Sequence, residues 1–127
     1  MKKLMIALAA AAALAACSGP AFDPASVADA TSEQVTRVEP LSWWTGMKTP
    51  LQILVQGKNI SEYNVVIEGG SGVSVAKVNK ADSPNFLFVD VKVAANAQPG
   101  TYYIVFSKDG ESFKYPYEIS ARREGSA

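Results

Sequence analysis

The side chains that bear most directly on catalysis in this chain are carboxylates, because a close pair of them can act as general acid and general base. In the region with a strand-like sequence they are scattered: Glu62 and Glu68 near strand ends, Asp82 before a proline, Asp90 on a strand and Asp109 in a hairpin turn. Turns favour aspartate for reasons of backbone hydrogen bonding alone. The spacing therefore predicts no catalytic residues, and we do not expect this chain to be an enzyme by itself.

Histidine is absent from the sequence. Its absence removes the commonest general base, the commonest metal ligand and every Ser–His or Cys–His nucleophile pair. The acidic residues also lack the regular spacing of a calcium-binding loop. We therefore expect no metal site and no cofactor.

The charge balance argues against a nucleic-acid partner. The chain carries twelve basic and twelve acidic side chains, and two of the basic ones are Lys2 and Lys3. These two lysines lie in a segment that we expect to be removed, which leaves a slightly acidic protein. Such a protein has no basic field to hold a phosphate backbone.

The N-terminal residues have the layout of a secretory signal. Two lysines precede an apolar run of thirteen residues, Leu4–Ala16. A membrane-spanning helix needs about 20 apolar residues, so this run is too short to span. It ends in Leu-Ala-Ala followed by Cys17, the only cysteine, and this ending resembles the lipobox of bacterial lipoproteins. The resemblance implies that residues 1–16 are a signal peptide and that Cys17 carries a lipid.

The residues after Cys17 bear on where the protein resides. By resemblance to the sorting pattern of proteobacterial lipoproteins, Ser18 after the cysteine implies sorting to the inner leaflet of the outer membrane, with the domain facing the periplasm. Residues 17–32 are small and polar and include two prolines, so we expect a flexible linker with at most one helical turn at 27–30.

From residue 33 onward, short runs of β-branched and aromatic residues are separated by turn residues. In residues 51–56 and 86–93, apolar residues at every second position predict strands with one buried face. Three further runs of the same kind are QVTRVEP, YNVVIEGG and VSVAKVN. About seven such strands, with turn signals every 8–12 residues or so, predict an all-β, immunoglobulin-like sandwich of two sheets.

The clearest local signal is a hairpin near the C-terminus. Aromatic and aliphatic residues alternate between positions 101 and 107, and again from Phe113 to Ile119. Asp109-Gly110 between them is typical of a tight hairpin turn. Pro116 lies in the return strand and cannot donate a backbone hydrogen bond, so the sequence predicts a free strand edge there.

Trp43 and Trp44 are adjacent and are the only tryptophans. On a strand their side chains point to opposite faces, so one can lie in the core while the other needs another role. Gly46 permits a tight turn after the pair, and Met47 supplies an adaptable apolar side chain. Three roles stay open for the second indole: contact with another domain, contact with a sugar, or plain core. Other aromatic residues at outward positions that could stack on a sugar are Phe86, Phe88 and Tyr103.

Residues 38–60 resemble the N-terminal domain of bacterial cyclomaltodextrinases and neopullulanases, enzymes of the α-amylase clan. The motif elements are Pro40, Trp43-Trp44, Gly46-Met47, Leu51 to Val55, and Gly57-Lys58-Asn59-Ile60. Further matches are Ser83 to Val91, Pro99-Gly100 and Tyr115 to Arg122. The resemblance covers nearly all of residues 35–127, and its most specific part is Trp-Trp-x-Gly-Met followed by Gly-Lys-Asn-Ile.

In that family the domain precedes a catalytic (β/α)8 barrel. The resemblance implies that residues 33–121 form the immunoglobulin-like domain and that residues 122–127 begin a linker to a barrel that lies outside this sequence. It implies a non-catalytic accessory role in an α-glucan hydrolase acting on cyclodextrin, pullulan or maltooligosaccharide. The domain would dock on the barrel in cis and position it, with α-glucan as a second contact. Trp43, Trp44 and Met47 are the expected contact residues.

A second function class remains open. The chain could be a stand-alone lipid-anchored protein whose immunoglobulin-like domain binds carbohydrate or serves the cell envelope. A stop codon directly after Ala127 would favour this alternative, whereas the Trp-Trp-x-Gly-Met motif argues against it.

Overall fold

The alternating runs form β-strands in the computed structural model, which describes residues 22–122. The strands are β1 Ala28–Asp29, β2 Arg37–Glu39, β3 Ser42–Trp44, β4 Leu51–Gln56, β5 Asn64–Glu68, β6 Val73–Lys80, β7 Phe86–Val93, β8 Gly100–Lys108 and β9 Glu111–Ser120. The helical elements of the described residues are two 3-10 turns, Pro24–Ser26 and Ile60–Glu62. Residues 22–122 form nine strands rather than about seven, because β1 and β3 are too short to show an alternating pattern.

The strands lie in two sheets, which confirms the predicted all-β sandwich. Sheet A has the order β1-β9-β8-β5, with β3 also paired to β9, and sheet B has the order β2-β4-β7-β6. Neighbouring strands are antiparallel, except that β1 and β3 both run parallel to β9. The two short strands therefore share one edge of β9, at its two ends.

The core lies between the sheets and follows from the predicted alternation. On β4, Leu51, Ile53 and Val55 are all at most 3% exposed, whereas Gln52 is exposed. From sheet A, Phe106 and Phe113 stack with ring centroids 5.2 Å apart. Burial of aliphatic and aromatic surface of this kind is the main favourable term in folding.

The C-terminal hairpin forms as predicted. Asp109 and Gly110 connect β8 to β9 with φ angles of 48° and 82°. Two consecutive residues with positive φ are what a tight hairpin turn requires, and glycine and aspartate tolerate them best.

Pro116 lies at a gap in the outer edge of β9. On that edge β1 pairs with Phe113 and Lys114, and β3 pairs with residues 118–120. Within the described part of the chain, residues 115–117 have no strand partner on that side. The free edge predicted at Pro116 is confirmed, although strands flank it at both ends.

The described part of the expected linker lies on the domain. Residues 24–26 form a 3-10 turn, and Ala28–Asp29 form β1 against β9. The single helical turn that the sequence allowed at 27–30 does not form, because Ala28 and Asp29 pair with β9 instead. The expected signal peptide, Cys17 and the residues from 123 onward lie outside the described residues.

Candidate functional site

A groove of about 700 Å³ lies where β3 of sheet A meets the start of β4 and the end of β7 in sheet B. We call it the tryptophan groove. Its lining residues are Trp43, Trp44, Met47, Lys48, Thr49, Pro50, Leu51, Gln52, Ala76, Asp90, Val91, Lys92 and Val93. Its size is in the range of small-molecule binding sites. All three predicted contact residues, Trp43, Trp44 and Met47, are in this lining.

The strand register determines the burial of the two tryptophans. Trp43 is level with the fully buried Ile119 and packs against the core. Trp44 is level with Ser120 and remains 41% exposed. Trp43 is therefore the inner and Trp44 the outer residue of the pair. The two rings nevertheless contact each other, with centroids 5.8 Å apart and planes tilted by 50°, so they form one aromatic wall.

The backbone after the tryptophans is held at the end of β9. The amide of Thr45 donates to the carbonyl of Ser120 at 2.9 Å. Gly46 follows with a φ of +74°, a conformation that glycine adopts without strain. The chain then turns into β4 with Met47 half-buried in the groove.

Tyr117 fixes the segment that leads into β3. Its hydroxyl donates to the carbonyl of Pro40 at 2.8 Å, and the residue is only 3% exposed. Burial raises the pKa of the Tyr117 phenol, so the phenol remains a neutral donor at physiological pH. This bond ties β9 to the residues just before the tryptophans.

Leu41, directly before β3, is a further exposed apolar residue. Only three large apolar residues in the described part of the chain are exposed, and Leu41 and Trp44 are two of them. Leu41 is the most exposed of the three, at 72%. Sequence reasoning did not single out Leu41, because one apolar residue before a strand carries no pattern.

A polar row lies on the sheet B side of the groove. The carboxylate of Asp90 on β7 accepts from the Gln52 amide at 2.8 Å and from the Asn79 amide at 3.1 Å. These three residues come from β4, β7 and β6, so the row crosses three neighbouring strands. In the sequence, the one sign of this polar row is an aspartate within the apolar run that forms β7. The sequence does not indicate which two side chains bond to it.

The remaining sequence candidates lie elsewhere. Phe86 and Phe88 are half-buried on β7 outside the groove lining, and Tyr103 on sheet A contacts Phe22 with ring centroids 5.7 Å apart. The scattered carboxylates do not form a cluster: Glu62 pairs with Lys108 at 2.9 Å. In residues 22–122 no three acidic, histidine or cysteine side chains are grouped so as to hold a metal ion. No helix within the same residues is long and apolar enough to cross a membrane.

The two sheets and their connections define a small immunoglobulin-like sandwich domain with an apolar groove at one end. A family model described as cyclomaltodextrinase, N-terminal, matches residues 37–123. The match covers more than half of the chain, and the chain belongs to this family of N-terminal domains. The resemblance seen in the sequence is thereby confirmed.

Proposed function

We propose that this chain is the accessory domain of an α-glucan hydrolase and that it docks on the catalytic barrel through the tryptophan groove and Leu41. The observation that carries the proposal is the position of Trp44, which is exposed and pairs in register with Ser120, the last residue of β9. The family supplies the kind of partner, because it is named for the N-terminal part of a cyclomaltodextrinase.

The exposure of Trp44 supports a role for this surface. Tryptophan buries about 150–250 Å² when it is covered, and apolar burial contributes about 25 cal/mol per Å². Covering the 41% of Trp44 that is exposed would thus stabilise a complex by about 1.5–2.5 kcal/mol. Aromatic residues and methionine are enriched at interfaces for this reason, and both types line the groove.

The path of the chain supports docking in cis. Trp44 is level with Ser120, where β9 ends. A domain that follows residue 127 would therefore be held close to the groove by a short connection. Such a connection gives the second domain a high effective concentration at this surface, so a modest contact area is sufficient for docking.

The polar row supports α-glucan as a second contact. Sugars are bound by aromatic faces together with a few fixed hydrogen-bonding groups. Trp44 supplies such a face, and Asp90 lies in the same groove with its orientation fixed by two amides. A sugar at the edge of the docked barrel would meet both.

The first test is to sequence the gene beyond codon 127 and to express the whole reading frame. Trp44→Ala in that product is expected to lower kcat/KM on maltooligosaccharides by about fivefold or more, because loss of docking energy leaves the barrel poorly positioned. Val66→Ala is the matched control. Val66 is also large, apolar and exposed, at 49%, but it lies on β5, away from the groove.

Three results would decide between the alternatives. A stop codon directly after codon 127 would overturn docking in cis and favour a stand-alone domain. Equal activity of the Trp44→Ala and Val66→Ala proteins would also overturn docking. A saturable change in tryptophan fluorescence with maltoheptaose below about 1 mM, lost in Trp44→Ala, would establish glucan contact.

The proposal includes a lipid anchor at Cys17 that holds the domain in the periplasm, at the inner leaflet of the outer membrane. The short apolar run and the cysteine that follows it support this anchor. Cys17→Ser is expected to abolish incorporation of labelled palmitate into the protein, because the lipid attaches through the sulfur. Ser18→Ala keeps the thiol and should leave incorporation unchanged. If Cys17→Ser still incorporated labelled palmitate, the anchor at Cys17 would be ruled out.

A further inference from the structure

We propose that the outer edge of β9 is a strand-addition site, that this chain fills it with its own residues 22–30, and that this segment opens and closes while the sandwich stays folded. We call residues 22–30 the N-terminal strap. The family match begins at residue 37, so the strap is a feature of this chain outside the matched domain.

The strap is bound to β9 as an added strand. Ala28 is level with Phe113 and Asp29 with Lys114, in parallel orientation. The amide of Ala30 then donates to the carbonyl of Lys114 at 2.8 Å. Main-chain hydrogen bonds of this kind give affinity when an extended peptide is added to a sheet edge.

Lys114 gives the site its charge selectivity. The residue is only 8% exposed, and its ammonium donates to the carbonyl of Val27 at 2.5 Å and pairs with the carboxylate of Asp29 at 2.9 Å. A buried cation is costly without such partners, and both oxygens belong to the strap. These two contacts replace the water that Lys114 loses when the strap closes, so closure does not leave a buried charge without partners.

The other end of the strap is held by an aromatic contact. The ring of Phe22 lies 5.7 Å from the ring of Tyr103 on β8, with the planes tilted by 42°. The ammonium of Lys114 lies 5.9 Å from the same tyrosine ring. The site thus selects an extended segment that has an aromatic residue at its start and an acidic residue seven positions later.

The strap can open separately because the core does not depend on it. The buried residues of the core begin at Val35, and the strap contributes only the half-buried Ala30 to its margin. Between strap and core lies a turn at residues 31–34, closed by two reciprocal hydrogen bonds between Thr31 and Gln34. Segments with few core contacts open with a smaller free energy than the whole domain.

Amide hydrogen exchange in the full chain tests the separate opening. Lys114→Met keeps the apolar stem and removes the charge, so the Ala30 amide is expected to exchange at least about tenfold faster. The amide of Thr45 is the internal reference, because it donates to Ser120 directly after the other short strand parallel to β9. Its rate is expected to stay the same.

Two further variants test whether faster exchange at Ala30 depends on the pair of Lys114 and Asp29. Asp29→Asn leaves Lys114 in place and should also speed exchange at Ala30. Lys108→Met removes a lysine that pairs with Glu62, away from the strap, and should leave Ala30 unchanged. Equal acceleration of Ala30 and Thr45 in Lys114→Met would mean that the strap opens only with the whole domain, and the inference would be wrong.

A peptide tests the binding site itself. In the full chain with Phe22→Ala and Asp29→Asn, the strap is weakened while Lys114 and Tyr103 remain. A synthetic peptide with the sequence of residues 22–30 is expected to shift the Lys114 and Tyr103 resonances in a saturable way. A peptide with asparagine in place of the second aspartate should bind more weakly. No shift with the first peptide up to about 1 mM would overturn the strand-addition site.

Discussion

Phe106→Ala is expected to lower the free energy of unfolding by about 3–5 kcal/mol, because it removes a fully buried ring from the centre of the core. Phe106 is 0% exposed and lies on β8, which pairs with both β5 and β9. Its ring stacks on Phe113, and Phe113 in turn contacts Tyr63 with ring centroids 5.0 Å apart. The ring of Phe113 would therefore line the cavity, and its position on β9 limits collapse around it.

Urea unfolding of the full chain measures this effect. Domains of this size have a total stability of about 5–15 kcal/mol, so Phe106→Ala is expected to leave little of it. Phe88→Ala is the matched control, since it makes the same substitution at a half-buried position on β7. A loss at Phe106 no larger than that at Phe88 would contradict the assignment of Phe106 to the centre of the core.

Gly57→Ala is expected to destabilise the domain by about 2–4 kcal/mol through a steric clash between backbone segments. A Cβ at this position would lie 1.9 Å from the carbonyl oxygen and 2.8 Å from the carbonyl carbon of Gln34. Both atoms are backbone, so no side-chain rotation can relieve the contact. The residues around it are also held, because the Gly57 amide donates to the carbonyl of Asn85 at 3.0 Å.

Gly46→Ala is the comparison for Gly57→Ala, because it introduces backbone strain without a steric clash. Gly46 has a φ of +74°, and a Cβ there would meet nothing within 4 Å. Its substitution should cost only the strain of a left-handed conformation, about 1–2 kcal/mol. Thermal and urea unfolding of the two variants should therefore give the larger loss at Gly57. The opposite order would show that the segment at Gln34 can move away from β4.

The sequence was sufficient to predict the sandwich because its main strands are long enough to show a period of two. Residues 51–56 bury every second side chain as expected, and the Asp109-Gly110 turn forms the predicted hairpin. The place of the tryptophans after Pro40 and before β4 also allowed the family to be recognised. These features are local, so each can be predicted from a few neighbouring residues.

The features that the sequence did not reveal depend on pairing between distant segments. Lys114 reads as an ordinary outward lysine, and its burial follows from a strap that lies more than eighty positions earlier in the sequence. Asp90 likewise obtains its partners from two neighbouring strands. Trp44 likewise lies at the end of β9 only because β3 pairs with residues 118–120.

The parallel pairing of β1 and β3 with β9 determines how the domain responds to mechanical tension. If the chain is held at its N-terminus and pulled at its C-terminus, β1 and β9 are drawn in opposite directions along their common axis. The hydrogen bonds between parallel strands then bear the load together in shear, whereas those of a hairpin pulled from its open end break one after another. Resistance to force is governed by the rate of unfolding and not by equilibrium stability. Because the strap that contains β1 opens separately, the parallel pairing of β3 with β9 would carry such a load once β1 has detached.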